Sequence, residues 1–158
     1  MKKVNELAKK APQGGFTLIE ILIVIGVIAI LAAIVLVAVN PAEQFRKAGD
    51  AQRASNVNAI LNAVGQYMVD NQGNPPGDIP SGVANAANIS NGGADICGDL
   101  VPEYIAALPA DPEKTDQSII EDECGASDTY DTGYKIYEDG DRITIIADQG
   151  DEDIIVTR

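Results

Sequence analysis

Hydrophobic and polar positions fall into three successive regimes along the chain. From Ile21 to Val39, nineteen consecutive residues carry no charge and no strongly polar side chain. At about 1.5 Å per residue this run spans about 28 Å, one hydrocarbon thickness. Leu, Ile, Val and Ala dominate, with only Gly26 to loosen the helix, so the run predicts a membrane-spanning helix rather than the core helix of a soluble domain. Extending it back to Phe16 takes in one acid, Glu20.

After Asn40-Pro41 the pattern becomes amphipathic. Phe45, Ala48, Val57, Ile60, Leu61, Val64 and Met68 recur at helical steps, with Gln44, Asp50, Arg53, Asn56 and Asn62 as the polar positions between them. Pro41 disfavours helical geometry at Asn40, which predicts a kink or short break there. The helix should stop near Asn71, where Gln72-Gly73-Asn74-Pro75-Pro76-Gly77 supplies a capping glycine and then prolines.

The third regime is short-range. Gly73 to Gly93, rich in Gly, Pro, Asn, Ala and Ser, predicts a long surface loop with a helical turn around Val83 to Ala87. Leu100, Tyr104, Ile105 and Leu108 are spaced as a short amphipathic helix that Pro109 and Pro112 end. Tyr134 to Tyr137, Arg142 to Ala147 and Ile154 to Thr157 alternate as strands, separated by Glu138-Asp139-Gly140-Asp141 and Asp148-Gln149-Gly150-Asp151. These signals predict a three-stranded antiparallel meander. The fold class is therefore α+β: a long N-terminal helix, half membrane and half amphipathic, with a small C-terminal antiparallel sheet packed on it. Both phenylalanines, Phe16 and Phe45, precede the outer region and there is no tryptophan, so residues 72–158 have little apolar bulk and must dock on the Val57–Met68 stripe.

Charge sharpens the division. The first fifteen residues hold Lys2, Lys3, Lys9 and Lys10 against Glu6, a net of +3. From Asp70 onward twenty acids face four bases, a net of −16, which repels phosphate backbones and argues against nucleic-acid binding by this half. Lysines before the apolar run place the N-terminus in the cytoplasm and the acidic remainder outside the membrane. The absence of histidine removes the commonest general base and transition-metal ligand. There is no Ser/His/Asp or Cys/His set and no phosphate-cradling glycine motif, so no catalytic residue is assigned and the chain is not expected to be an enzyme.

An intramembrane carboxylate is costly and usually marks a function with a specific partner. No cation lies within a helical turn of Glu20, but a cut before Phe16 would create one, a free amino group at the start of the helix. Between chains staggered by a few ångströms, each Glu20 could then meet the ammonium of a neighbour.

The stretch "GGFTLIE" ahead of an apolar run, behind a lysine-bearing leader, resembles the processing signature of type IV pilins and pseudopilins. The resemblance rests on Gly15, Phe16, Thr17, Leu18 and Glu20. It implies a leader over 1–15, removed by a prepilin peptidase between Gly15 and Phe16, and N-methylation of Phe16. A membrane and filament-core helix over 16–39, an amphipathic helix over 40–71 and an extracytoplasmic domain over 72–158 would follow. It further implies that Glu20 docks subunits in a helical homo-oligomer, and that an assembly ATPase and a platform protein act on the chain. A secretory signal cleaved after the apolar segment and a simple one-pass anchor are the alternatives.

Cys97 and Cys124, placed outside the cytoplasm, are expected to form a disulfide, with free buried thiols as the alternative. Two acid clusters, Asp111, Glu113 and Asp116, then Glu121, Asp122, Glu123 and Asp128, raise calcium as a candidate, against a solvated negative surface. Neither fits the EF-hand spacing, so no metal ligand is assigned and no cofactor is expected. The passage "YIAALPADP" over 104–112 resembles the major pseudopilins of type II secretion, a branch that binds calcium in a loop before its last strands. Asn88-Ile89-Ser90 fits a glycosylation sequon. The leading expectation is a structural subunit of a type IV pilus-like filament, first held in the cytoplasmic membrane and then in a surface pilus. The alternative is the major pseudopilin of a type II secretion system, in an envelope pseudopilus, and the outsider is a monomeric membrane-anchored binding domain.

Overall fold

A computed structural model describes residues 15–115, 118–125 and 129–158. The expected leader, apart from Gly15, lies outside the described residues, as do Asp116 and Asp128 of the acid clusters. The chain divides into two compact units between Pro41 and Ala42.

The first unit is built on α1, Leu18–Val39. Among the described residues it is the one helix long and apolar enough to cross a membrane, with a mean hydropathy of 3.4 over its best window. It buries none of its residues within the chain. Asn40 interrupts the helical backbone at φ +43°, in the left-handed region that asparagine tolerates better than most residues. Pro41 then opens α2 at the helical position where a missing N–H costs nothing. The predicted break is there, one residue long.

The second unit holds α2, Pro41–Asp70, which ends where Gln72 and Gly73 turn to positive φ and the Gly73 N–H donates to the Met68 carbonyl at 2.8 Å. Val57, Ile60, Leu61, Ala63 and Val64 of α2 are buried, as the stripe requires, whereas Phe45 is 78% exposed. The stripe therefore starts later than predicted. Its first buried members are Arg53 and Asn56, whose polarity predicts exposed positions between the core residues. Both lie at helical steps from Val57 and Ile60, so the periodicity was correct and only their polarity misled.

Among the described residues the main sheet has four strands, not three. β1 is Ala87–Ser90, β4 is Asp131–Asp139, β5 is Arg142–Ala147 and β6 is Ile154–Thr157, in the antiparallel order β1-β4-β5-β6. The β4–β5 hairpin turns at Gly140, φ +64°, between Asp139 and Arg142, and β5 pairs β6 with Ala147 opposite Ile154. β1 arises inside the predicted loop, with Ala87 opposite Ile136 and Asn88 opposite Lys135. Ala87, Asn88 and Ser90 are weak strand formers; the open edge of β4 supplies the hydrogen bonds, and Ile89 is buried. The predicted turn near Val83 is a short 3-10 helix, Val83–Asn85.

The amphipathic helix predicted over 100–108 is absent. A single turn, α3, covers Cys97–Leu100, and Val101 then adopts φ −101°, ψ 132°, because Pro102 excludes the helical region for the residue before it. Leu108 instead belongs to β2, Leu108–Pro109, which pairs with β3, Ser118–Ile119. Leu100 and Leu108 are both fully buried. Their spacing correctly announced core residues and wrongly announced a helix.

Cys97 and Cys124 form a disulfide with Cα atoms 5.2 Å apart. They close a loop of sequence separation 27, worth about 3–4 kcal/mol in the chain-entropy model. Cys97→Ser with Cys124→Ser is expected to lower the urea midpoint of the detergent-solubilised full chain by that amount of stability. Reductant should reproduce the shift in the wild type and leave the variant unmoved.

Candidate assembly surface

Gly15, Phe16 and Thr17 lie ahead of α1 with non-helical backbone, and Phe16 is 81% exposed. Thr17, at φ −83° and ψ 151°, is the N-cap. Its hydroxyl oxygen accepts from the Glu20 N–H at 3.2 Å, and a Glu20 carboxylate oxygen accepts from the Thr17 N–H at 3.4 Å. This reciprocal capping box satisfies two of the donors that every helix start leaves open. It also folds the Glu20 carboxylate back to the head of the helix, one residue from the Phe16 nitrogen. Both oxygens of the pair are exposed. In the chain itself the carboxylate is thus engaged by neutral donors, and among the described residues it has no ion pair.

The outer unit has a different charged centre, at Arg53. Its Nε donates to Asp111 Oδ2 at 2.6 Å and its Nη2 to Asp111 Oδ1 at 3.2 Å, a bidentate pair. Nη2 also reaches Glu113 at 3.0 Å and Nη1 reaches Asp50 at 3.0 Å. The side chains of Arg53 and Asp111 are only 3% and 2% exposed. The Asp111 hydrogen bond, against the cost of burial, holds the guanidinium above its ordinary pKa. Beside it, Asn56 Nδ2 donates to the Ala110 carbonyl at 2.9 Å and to the Tyr134 hydroxyl at 3.0 Å. These bonds clamp the 110–113 segment to α2.

The network bears directly on calcium. Asp111 and Glu113 already face Arg53, and Glu123 accepts from the Ile120 N–H at 2.8 Å. No group of three potential ligands is placed to hold a metal among the described residues. Elsewhere the carboxylates pair one by one. The Lys135 hydrogen bond at 2.5 Å lowers the Asp148 pKa. Burial raises that of Asp131, but the Lys114 ammonium at 2.6 Å and the Gly133 N–H lower it further than burial raises it. Burial and the Asp95 carboxylate push the Tyr130 hydroxyl up. In the sequon, Asn88 is exposed on the edge strand β1, while Ser90 is nearly buried.

Comparison with known proteins gives two matches. Residues 10–36 match the model of the prokaryotic N-terminal methylation motif. The chain is also 33% identical over 130 residues to type II secretion system core protein G of Escherichia coli (strain K12), covering 77% of this chain and 81% of that protein. A match of that extent reaches well past α2 into the outer unit. No solved structure matches.

Proposed function

Because the chain belongs to the type IV pilin and pseudopilin family, we propose that it is a membrane-anchored structural subunit of a helical filament, cut between Gly15 and Phe16 and methylated on the new Phe16 amine. The observation that carries this reading is the capping box, which holds Glu20 against the residue next to the bond to be cut. Cleavage places an ammonium there. In a staggered bundle of α1 helices each carboxylate meets the ammonium of a neighbouring subunit, and a contact of that kind repeats without closing. The N-terminus starts on the cytoplasmic side, and the acidic outer unit coats the filament in the cell envelope or beyond it. Prepilin peptidase, an assembly ATPase and a platform protein are the partners this route requires. The role is assembly rather than catalysis, and it needs no cofactor.

Within the family, the secretion branch is favoured by the likeness to core protein G, because that likeness covers the outer unit and not only the shared N-terminal motif. A surface pilus is the second reading, supported by the disulfide-closed loop between Cys97 and Cys124. N-terminal sequencing and intact mass of membrane-extracted protein test the common premise. The expected chain starts at Phe16 and carries one methyl group; a start at Met1, or beyond Val39, overturns it. Deletion separates the branches: lost export of folded proteins supports secretion, and lost surface filaments with normal export supports the pilus.

A further inference from the structure

The turn after β1 carries a reactive dipeptide that assembly does not use. Asn91-Gly92 is the one place in the chain where glycine follows asparagine. Asparagine is thermolabile because its carboxamide carbon lies within reach of the next residue's backbone nitrogen. A side chain on that next residue shields the nitrogen, and glycine has none. Both residues are exposed, and a Cβ built at Gly92 meets nothing within 4 Å, so no neighbour crowds the site. The Gly92 N–H donates to no described group, so attack by its nitrogen breaks no hydrogen bond that it makes. Other asparagines lack such a nucleophile. Asn40 and Asn74 precede prolines, and the Ala86 N–H after Asn85 donates to the Val83 carbonyl at 3.2 Å.

We propose that Asn91 is a self-modification site, at which the folded chain converts asparagine to isoaspartate and aspartate without an enzyme. Hydroxide takes the Gly92 amide proton, and the nitrogen bonds to Asn91 Cγ. The Cγ–Nδ2 bond breaks, and the departing nitrogen gains a proton from water and leaves as ammonia. The five-membered succinimide left behind opens by adding water. Water at Cγ breaks the new bond and gives aspartate. Water at the main-chain carbonyl carbon breaks the original peptide linkage and gives isoaspartate. Nothing is oxidised or reduced, and water and hydroxide are the co-reactants.

The surrounding backbone makes the isoaspartyl product costly. Gly93 N–H donates to the Ser90 carbonyl at 3.1 Å, Ala94 N–H to that of Asn88 at 2.8 Å, and Ser90 N–H to that of Ala94 at 3.3 Å. The turn is closed tightly, since a Cβ at Gly93 would collide with the Asn88 carbonyl oxygen. Ile89 before it, and Ala94 and Ile96 after it, are fully buried. Isoaspartate lengthens the main chain by one carbon inside this closed turn, so the hydrogen bonds and the buried anchors cannot all be kept. The edge strand β1 is loosened at its Ser90 end, where it pairs with Asp131 of β4. Plain aspartate leaves the main chain as it was.

The test ages the detergent-solubilised full chain, still folded, in mildly alkaline buffer made with heavy-oxygen water. Peptide mapping by mass spectrometry is expected to show NH2 exchanged for OH at Asn91 ahead of every other asparagine, with one heavy oxygen incorporated there. Isoaspartate at the same residue is read by isoaspartyl methyltransferase with labelled S-adenosylmethionine. The thermal midpoint should fall as isoaspartate accumulates, whereas fresh Asn91→Asp keeps the wild-type midpoint. Gly92→Ala should slow the conversion more than tenfold, and the open space at its Cβ leaves the fold intact. The label is read on the wild-type chain, so the test stands without a folded variant. An unchanged Asn91, another asparagine converting first, or Gly92→Ala converting as fast as wild type overturns the proposal. An aged midpoint that does not move overturns the loosening of β1. None of these outcomes bears on filament assembly, which is read separately.

Discussion

Glu20→Ala is expected to leave a stable chain in the membrane and almost no filament. The carboxylate stands at the head of an otherwise apolar helix, where a charge without a counter-ion costs a few kcal/mol. Among the described residues it accepts only from the Thr17 N–H, and Thr17 keeps capping the helix without it. Removing the acid therefore costs the monomer little. Removing one partner of a desolvated charge pair between subunits costs about 2–5 kcal/mol per contact, more than a tenfold loss for each. Glu20→Gln separates charge from capping, because a glutamine at this position can still accept the Thr17 N–H. Failure of both variants, read as membrane-bound monomer without sedimentable filament, supports the counter-ion role. Normal filaments from Glu20→Gln would reduce Glu20 to a helix cap.

Arg53→Met should unfold or nearly unfold the outer unit. The substitution strands Asp111, whose side chain is 2% exposed, with its bidentate partner gone. Breaking a buried pair from one side costs about 3–5 kcal/mol, a large share of the 5–15 kcal/mol that holds a typical domain together. The expected readout is a lower urea midpoint for the detergent-solubilised full chain and rapid proteolysis of the outer unit. Adding Asp111→Leu should recover part of the loss, since an apolar pair leaves no buried charge unmatched. A double variant as unstable as the single would show that the other contacts of Arg53, to Asp50 and Glu113, carry the clamp. Gly150 belongs to the same construction: a Cβ there would collide with the Asp50 carboxylate and lie 3.2 Å from Arg53 Nη1. A side chain at position 150 would have to push the Asp50 carboxylate out of its place beside Arg53.

Much of this was legible without coordinates, and the failures have specific causes. The break at Asn40 follows from one proline, and the end of α2 from the Gly73-Asn74-Pro75 sequence, because both depend on local backbone sterics. The β4–β5 hairpin follows from Asp139-Gly140 between alternating segments. By contrast, β1 has little strand propensity and exists because β4 offers it an edge. The spacing of Leu100 and Leu108 spoke for burial, but Pro102 converted the expected helix into a turn and a short strand. Arg53 was misplaced because polarity was taken to mean exposure; its buried partner is fifty-eight residues away.

Whatever depends on neighbours in the chain was therefore determined by the sequence itself: the apolar α1, the Gly15-to-Glu20 signature, the capping of Glu20 by Thr17, and the meander. Each is a matter of hydropathy, backbone sterics or contacts a few residues apart. Tertiary structure decided which polar groups could be buried, which strand would cover the β4 edge, and which carboxylates were already committed to Arg53. Burying a charge is affordable only when a distant partner arrives in hydrogen-bonding geometry, and that arrival is a property of the folded chain.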